Sequence, residues 1–293
     1  MLLHAIGFGI VTAAVMALAA VGFTVQFGVT NILNLAYGDV MTASAFVAYV
    51  TSSAGLNPWW GMVSGGLFGA VFSVLLNRFL YTPFIRRGAR LFTMIIVTIA
   101  VSLILQNCLQ AIWGPDFVTA HISAGAPVHV LGMVFTATQL ILIAIAAVAL
   151  TALHGLLRYT RLGKAMRATA SDPALARNCG VQTRRVIDGA WLVSGLLCGL
   201  AGVALVTELG SFDFTTGSAF LVPVIAAAVL GGVGQPYGAM LGALVIGLAS
   251  ELEATYFDPT YTNVVAFVVL IVVLLLRPQG IFAEVASQKE VAA

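Results

Sequence analysis

Four histidines, three cysteines and eleven carboxylates are the groups in this 293-residue chain that could move protons, attack carbonyl carbons or hold a metal. Their spacing supports none of these. His4, His121, His129 and His154 are scattered, and neither an HExxH nor a GxSxG pattern occurs. Cys108, Cys179 and Cys198 form no CxxC or Cys/His cluster, so they read as small apolar filler rather than as metal ligands or a disulfide framework. Glu251 and Glu253 are two apart, a spacing that does not bring side chains together on a helix, and they are expected to be solvated charges at an outer face. No GxxxxGK[ST] phosphate loop is present. The chain is therefore expected not to be an enzyme, to bind no cofactor or metal, and to hydrolyse no ATP by itself.

The polar residues that remain suggest a path rather than a reaction. The stretch Gln26-Phe27-Gly28-Val29-Thr30-Asn31-Ile32-Leu33-Asn34-Leu35-Ala36-Tyr37-Gly38-Asp39 interrupts an apolar run. Polar groups at membrane depth are costly unless they are paired or face a cavity, and broken helices of this kind line transporter pathways. Asn31 and Asn34, three apart, are expected to share one helix face. Gln26, Asn31, Asn34, Tyr37, Gly38 and Asp39 are thus candidates for lining a translocation pathway. A plainer reading is an interfacial loop whose amides cap two helix ends.

The elements that must position these residues follow from composition. The chain is 60% hydrophobic and only 8% charged, against about 25% charged in a soluble domain. Too few charges remain to clothe a water-facing surface, so most of the outside must face lipid. Runs such as Val264–Leu276 are apolar all round, which excludes the alternating pattern of a barrel and leaves helices. The expected fold is all-α: a polytopic integral membrane protein of about 8–9 spans, forming one domain over residues 1–293. Spans are placed near 5–28, 37–54, 59–81, 92–113, 131–157, 186–209, 217–231, 236–254 and 262–276, with broken or re-entrant segments around 28–38 and 210–238. The N-terminus lacks a basic n-region and reads as a first span rather than a removed signal peptide. A net charge of +2 is too small to suggest nucleic acid.

All thirteen basic residues fall in three clusters. Arg78, Arg86, Arg87 and Arg90 lie near the third inter-span loop, and Arg158, Arg161, Lys164, Arg167, Arg177, Arg184 and Arg185 lie in a loop over about 158–185. Arg277 and Lys289 lie in a short tail over about 277–293. Even numbers of spans separate the clusters, so all three share one face, the cytoplasm by the positive-inside rule. The N-terminus is then outside and the C-terminus inside, with Asp116, Asp213 and Asp258 near the outer face. The segment Ser171–Gly180 reads as a helix of about two turns. Ser171 suits its N-cap, Asp172 and Pro173 its first turn, and Gly180 the left-handed position beyond its end. A loop that merely sets topology and touches anionic lipid would explain the arginines but not a capped helix.

The order Leu162-Gly163-x-Ala165-x-Arg167-Ala168, then Asp172-Pro173, then Ala174-x-Ala176 and Gly180, resembles the cytoplasmic coupling loop of ABC importer permeases. Ala174 stands where the superfamily pattern has Glu, a departure that fits the branched-chain amino acid permease branch. The string Phe27-Gly28-Val29 to Leu33-Asn34-Leu35-Ala36-x-Gly38-Asp39 is similar to that family's N-terminal signature, with Tyr37 where His is common. The glycine-rich Leu230-Gly231-Gly232-Val233-Gly234 to Gly238-Ala239 and the closing Arg277-Pro278-Gln279-Gly280 resemble two further family segments. Small residues there, with Gly242 and Gly247, would let helices approach closely. These segments run in the family's order over almost the whole chain.

The resemblance implies the inner-membrane permease subunit of a binding-protein-dependent importer. Its implied partners are a second permease subunit, two cytoplasmic ATPase subunits, a periplasmic substrate-binding protein and membrane lipid. Gly163, Arg167, Ala168, Asp172, Pro173, Ala174, Ala176 and Gly180 would couple it to the ATPases. Branched-chain amino acids are the implied cargo, with urea, short amides or other amino acids as alternatives. A secondary transporter or channel is the alternative of another class. Asp39, Asp188 and Glu208 fall near span ends, however, where ion coupling would favour mid-membrane charge.

Overall fold

A computed structural model describes residues 2–55, 57–119, 127–130, 133–256 and 262–276. Helices dominate: α1 (Leu2–Thr30), α2 (Tyr37–Ser53), α3 (Pro58–Leu75), α4 (Thr82–Arg86), α5 (Leu91–Trp113), α6 (Ala137–Tyr159), α7 (Arg161–Ser171), α8 (Pro173–Asn178), α9 (Thr183–Leu209), α10 (Thr216–Gly231), α11 (Pro236–Tyr256) and α12 (Thr262–Leu276). A π-helical segment, Leu76–Tyr81, joins α3 to α4. Among the described residues, six helices are long and apolar enough to cross a membrane: α1, the run Pro58–Arg86, α5, α6, α9 and α11. The first described residues of the fifth expected span, 133–136, are not helical. Residues Pro127–Val130 (β2) and Met133–Thr136 (β3) pair as an antiparallel hairpin, and α6 begins only at Ala137. The closing segment from Arg277, with Lys289, and also His121 and Asp258, lie outside the described residues.

Local chemistry explains where helices start and stop. Asn57 Oδ1 accepts the Trp59 N–H at 3.1 Å, and Pro58 takes the first helical position, where its missing donor is not needed. Asp213 organises the turn before α10, accepting from the Thr215 N–H and from both Thr215 and Thr216 hydroxyls. Burial pushes its carboxyl pKa up, but these hydrogen bonds outweigh it and hold the group below the ordinary carboxylate value.

The chain falls into two compact units. The first comprises residues 1–24, 123–147 and 222–293. In it Gly242 of α11 lies against the Ala227 backbone of α10, Gly238 against Gly231, and Gly247 against Ala13 of α1. The glycine-rich stretch thus serves close packing and a tight turn, with Gly232 and Gly234 at positive φ between α10 and α11. Glu251 and Glu253 are not the solvated charges their spacing suggested. Glu251 accepts a hydrogen bond from Thr12 Oγ1 at 2.8 Å, and Glu253 is 7% exposed. Two residues apart they do face different sides of α11, with Glu253 buried and Glu251 half-buried.

The second unit comprises residues 25–122 and 148–221. Its core is α2, α3 and α9 packed at backbone contact. A methyl group added at Gly69, Gly195 or Gly199 would meet backbone atoms of the facing helix, and at Gly202 the backbone of Met41. Such approach lets van der Waals packing hold helices together where no hydrophobic drive exists. At one end of α2, Phe46 stacks on Trp113 at 4.5 Å and meets Phe212 at 4.8 Å. There β1 (Val118–Thr119) pairs antiparallel with β4 (Ser211–Phe212). The outward side of α5 leaves Phe92, Leu103 and Ile104 more than half exposed, as a lipid-facing helix must.

Candidate functional site: a buried polar break and an exposed basic helix pair

The polar break is real, and the chain leaves the helix within it. Helix α1 ends at Thr30, whose hydroxyl donates to Gln26 O at 2.7 Å. Residues 31–34 are non-helical, and α2 starts at Tyr37. Asn31 takes φ +52°, a left-handed backbone that asparagine tolerates better than most residues. It is exposed, whereas Asn34 is 2% exposed. The two asparagines therefore do not share a helix face. The break unwinds between them, and helical spacing has no meaning there.

The remaining members of the break are buried and tied to other helices. Asn34 Oδ1 accepts from the Tyr81 hydroxyl at 3.1 Å, and Tyr81 stacks on Trp191 with ring centroids 5.2 Å apart. The Tyr81 contact starts from the π-helical segment, a local distortion often found at functional sites. Leu33 O accepts from the Thr98 hydroxyl at 3.2 Å. The Tyr37 hydroxyl donates to Ser194 O at 3.5 Å, while Ser194 Oγ donates to Gln26 Oε1 at 3.2 Å. Asp39 Oδ1 accepts from Gln106 Nε2 at 2.9 Å. Gly38 lies against the backbone of Gly217, and Gly217 N–H donates to Thr42 Oγ1 at 2.9 Å. Tyr81, Thr98, Gln106, Trp191 and Ser194 were not singled out from the sequence. Only Gln106, a polar residue inside an apolar run, left a visible signal.

The segment 158–185 folds as two helices rather than one. Thr160 Oγ1 accepts the Gly163 N–H at 3.0 Å and starts α7. Gly163, Met166 and Thr169 form its buried face. A Cβ at Gly163 would strike the backbone of Leu156 and Leu157 at the end of α6. Ser171 closes α7 and is not an N-cap; its hydroxyl donates back to Arg167 O at 3.1 Å. The cap of α8 is Asp172, whose Oδ1 accepts from the Ala174 and Leu175 N–H groups at 2.8 and 2.9 Å. A carboxylate does this better than a hydroxyl because it also meets the positive helix end. Pro173 opens α8. Gly180 takes φ +82°, and N–H groups of Gly180 and Val181 bond to the carbonyls of Arg177 and Ala176. This is the Schellman arrangement that needs glycine.

Of the residues picked out here, Ala176 and Gly163 are buried, while Arg167, Ala168, Asp172, Pro173, Ala174 and Gly180 are exposed. All seven basic side chains of the segment are exposed, as is Leu175 at 59%. Leu162 and Met166 of α7 pack at Gly189 of α9. The same helix carries Trp191 and Ser194 of the polar break.

A family model described as the branched-chain amino acid transport system permease component matches residues 5–274. The chain belongs to this family. The permease is 30% identical over 96% of its length to the high-affinity branched-chain amino acid transport system permease protein LivH of Salmonella typhimurium, covering 95% of that protein. It is 28% identical to the corresponding BraD protein of Pseudomonas aeruginosa, again over 96% and 95%. It is 25% identical over 90% of its length to the ribose import permease protein RbsC of Escherichia coli, covering 82% of that relative. No solved structure is a significant match. The relatives are named as permeases rather than enzymes, and with six spanning-length helices the permease is a multi-pass membrane protein.

Proposed function

We propose that the permease is the membrane-spanning subunit of a binding-protein-dependent ABC importer for branched-chain amino acids, driven by separate ATPase subunits that dock on α7 and α8. The observation that carries this reading is the helix pair itself. It is capped at both ends, exposed along α8, basic, and fastened to α9 through Leu162 and Met166 at Gly189. A helix pair pushed by an ATPase would move α9 and with it the polar break. Leu175, 59% exposed, is the apolar knob suited to a cleft in the partner, on a helix that also carries the exposed Arg177. Gln26, Asn34, Tyr37, Gly38 and Asp39 line the pathway; Asn31 shapes the backbone.

The whole chain works as one permease domain. Nine helices cross the bacterial inner membrane, three of them shorter than a full span, with the N-terminus periplasmic and the C-terminal tail cytoplasmic. A second permease subunit, two ATPases, a periplasmic binding protein and surrounding lipid complete the assembly, and this chain itself holds no cofactor. The amino-acid cargo rests on the LivH and BraD relatives, which exceed the ribose permease in identity and coverage.

The test is ATP-dependent leucine uptake by the purified complex in proteoliposomes. Uptake should need the ATPase subunits. Leu175→Asp should cut it at least tenfold while ATP hydrolysis continues. Uptake without ATPase subunits, or normal uptake after deletion of residues 171–180, sinks the proposal.

A further inference from the structure

Asp188 is an acidic residue that the proposed function leaves without a task. It lies near the start of α9, half-buried, and its Oδ1 accepts from Asn77 Nδ2 at 3.0 Å. Asn77 is buried and belongs to the π-helical segment between α3 and α4. Its amide is fixed at both ends, because Asn77 Oδ1 accepts from the Thr82 hydroxyl at 3.4 Å. Further along the same segment, Tyr81 stacks on Trp191, which follows Asp188 in α9 by about one helical turn. The π segment therefore grips α9 at two points. One grip is an amide–carboxylate hydrogen bond, stronger than a neutral pair. The other is a stack of two buried rings.

The grip sits where a helix ladder changes. Along α3, glycines hold the facing helix at backbone contact, Gly69 against Gly195 and Gly65 against Gly199. Past Leu75 the ladder turns π, with the Thr82 N–H bonded to Asn77 O, and side chains reach across to α9 instead. Between the two grips, Gly189 of α9 receives Leu162 and Met166 of α7. One turn further, Ser194 bonds to Gln26 and Tyr37, while the Tyr81 hydroxyl donates to Asn34. The break is thus held at Gln26 and Tyr37 by α9 itself, and at Asn34 by the π segment. We propose that Asn77 and Asp188 are positioning residues that lock the π segment onto α9, so that Ser194 and Tyr81 carry the break as one body when α7 displaces α9. This rests on the coupling reading above and deepens it. Without the lock, displacement of α9 pulls Gln26 and Tyr37 through Ser194 and leaves Asn34 behind on a tyrosine held by its ring alone. Coupling between distant sites runs through packed side chains and hydrogen bonds of this kind. The task of Asn77 and Asp188 is mechanical: they act through Tyr81 rather than on cargo.

The experiment measures ATP hydrolysed per leucine imported, using the full importer in proteoliposomes with saturating binding protein. Asn77→Asp sets two carboxylates face to face and breaks the hydrogen bond. Adding Asp188→Asn restores one amide–carboxylate bond with donor and acceptor exchanged, and the new residue 77 still accepts from Thr82. The single variant should raise the ratio at least fivefold in complexes that assemble and hydrolyse ATP, and the double variant should return it to within twofold of wild type. A merely structural role would lower assembly, hydrolysis and uptake together and leave the ratio unmoved. A wild-type ratio in Asn77→Asp overturns the lock, as does a double variant no better than the single one. If Asn77→Asp fails to assemble, Tyr81→Phe decides, because it keeps the ring on Trp191 and removes only the donor to Asn34. A raised ratio there supports the lock; a wild-type ratio or failed assembly overturns it. A wild-type complex that imports leucine without ATPase subunits, or imports none, overturns the coupling reading and the lock with it. ATP-dependent wild-type uptake with unaffected variants overturns the lock alone.

Discussion

The polar break and the basic helix pair use the same kinds of residue in opposite ways. In the break, Asn34, Tyr37 and Asp39 are buried and spend their polar atoms on Tyr81, Ser194 and Gln106, side chains brought from distant helices. In the helix pair, Asp172 and Thr160 spend theirs on backbone N–H groups two or three residues away, and the arginines stay exposed. The first arrangement exists only when α2, α3, α5 and α9 are assembled. The second carries its own local order and needs the rest of the unit only as an anchor. Damage to the shared anchor, α9, should therefore remove both regions, while damage to a cap should weaken one.

The largest effect is expected from Gly199→Val. Its Cβ would meet the carbonyl oxygen of Gly65 and the backbone of Gly66. Backbone cannot step aside as a flexible side chain can, so the cost exceeds the ~1–3 kcal/mol typical of overpacking. The yield of monodisperse protein after detergent extraction, measured by size-exclusion chromatography, should fall at least tenfold. A wild-type yield would mean that α3 and α9 need not touch and that the two regions have no common support.

Gly163→Ala should separate the regions without unfolding the unit. The new methyl would press on the backbone of Leu156 and Leu157 at the end of α6 and displace α7 from its seat. Leucine uptake should drop five- to twentyfold in complexes that still assemble and still hydrolyse ATP. Parallel loss of both activities would place Gly163 with the core rather than with the coupling surface.

The contrast also explains what the sequence disclosed. The caps of α8 were legible because capping is decided within four residues: Asp172, Pro173 and Gly180 carry their preferences with them. The single slip there, Ser171 in place of Asp172, separates two neighbouring residues that both suit an N-cap. Helix α7 was missed because its buried face is short: Gly163, Met166 and Thr169 make a stripe only once α9 lies beneath it. The polar break was legible as an interruption, yet its partners were not. Nothing local to Tyr81, Gln106 or Trp191 says that they face residues 26–39, and the pairing of Asn31 with Asn34 failed because helical spacing was assumed across a stretch that unwinds. The hairpin before α6 was hidden for a related reason. Apolar residues such as Val130 and Phe135 continue the hydrophobic run, and composition does not distinguish a short ribbon from the first turn of a span.

Asp172→Ala tests the local side of the contrast with a smaller effect. It removes two charge-assisted hydrogen bonds at the start of α8, and loss of an N-cap costs about 1 kcal/mol. Helix α8 should fray. Uptake should fall two- to fivefold, with thermal stability of the permease nearly unchanged because α8 is exposed. Asp172→Asn, which keeps the acceptor, should restore most of the uptake. A defect of equal size in the asparagine variant would shift the role of Asp172 from capping to a charge read by the ATPase.

The smallest expected effect is at Asn31, where the two readings of the break diverge most cleanly. If its side chain touched cargo, as its place beside Asn34 first suggested, Asn31→Gly would cost uptake. The structure gives it a backbone task instead: φ +52° at the point where α1 unwinds, with the side chain exposed. Glycine meets that conformation at no steric cost, so Asn31→Gly should leave both uptake and Tm within error of wild type. Asn31→Val introduces a β-branched side chain, and a left-handed backbone costs such a residue about 1–2 kcal/mol or more. Its Tm should fall by several degrees, with uptake lost in proportion to folded protein. A glycine variant that folds normally but transports poorly would return Asn31 to the pathway and redraw the boundary between the buried and the exposed parts of the break.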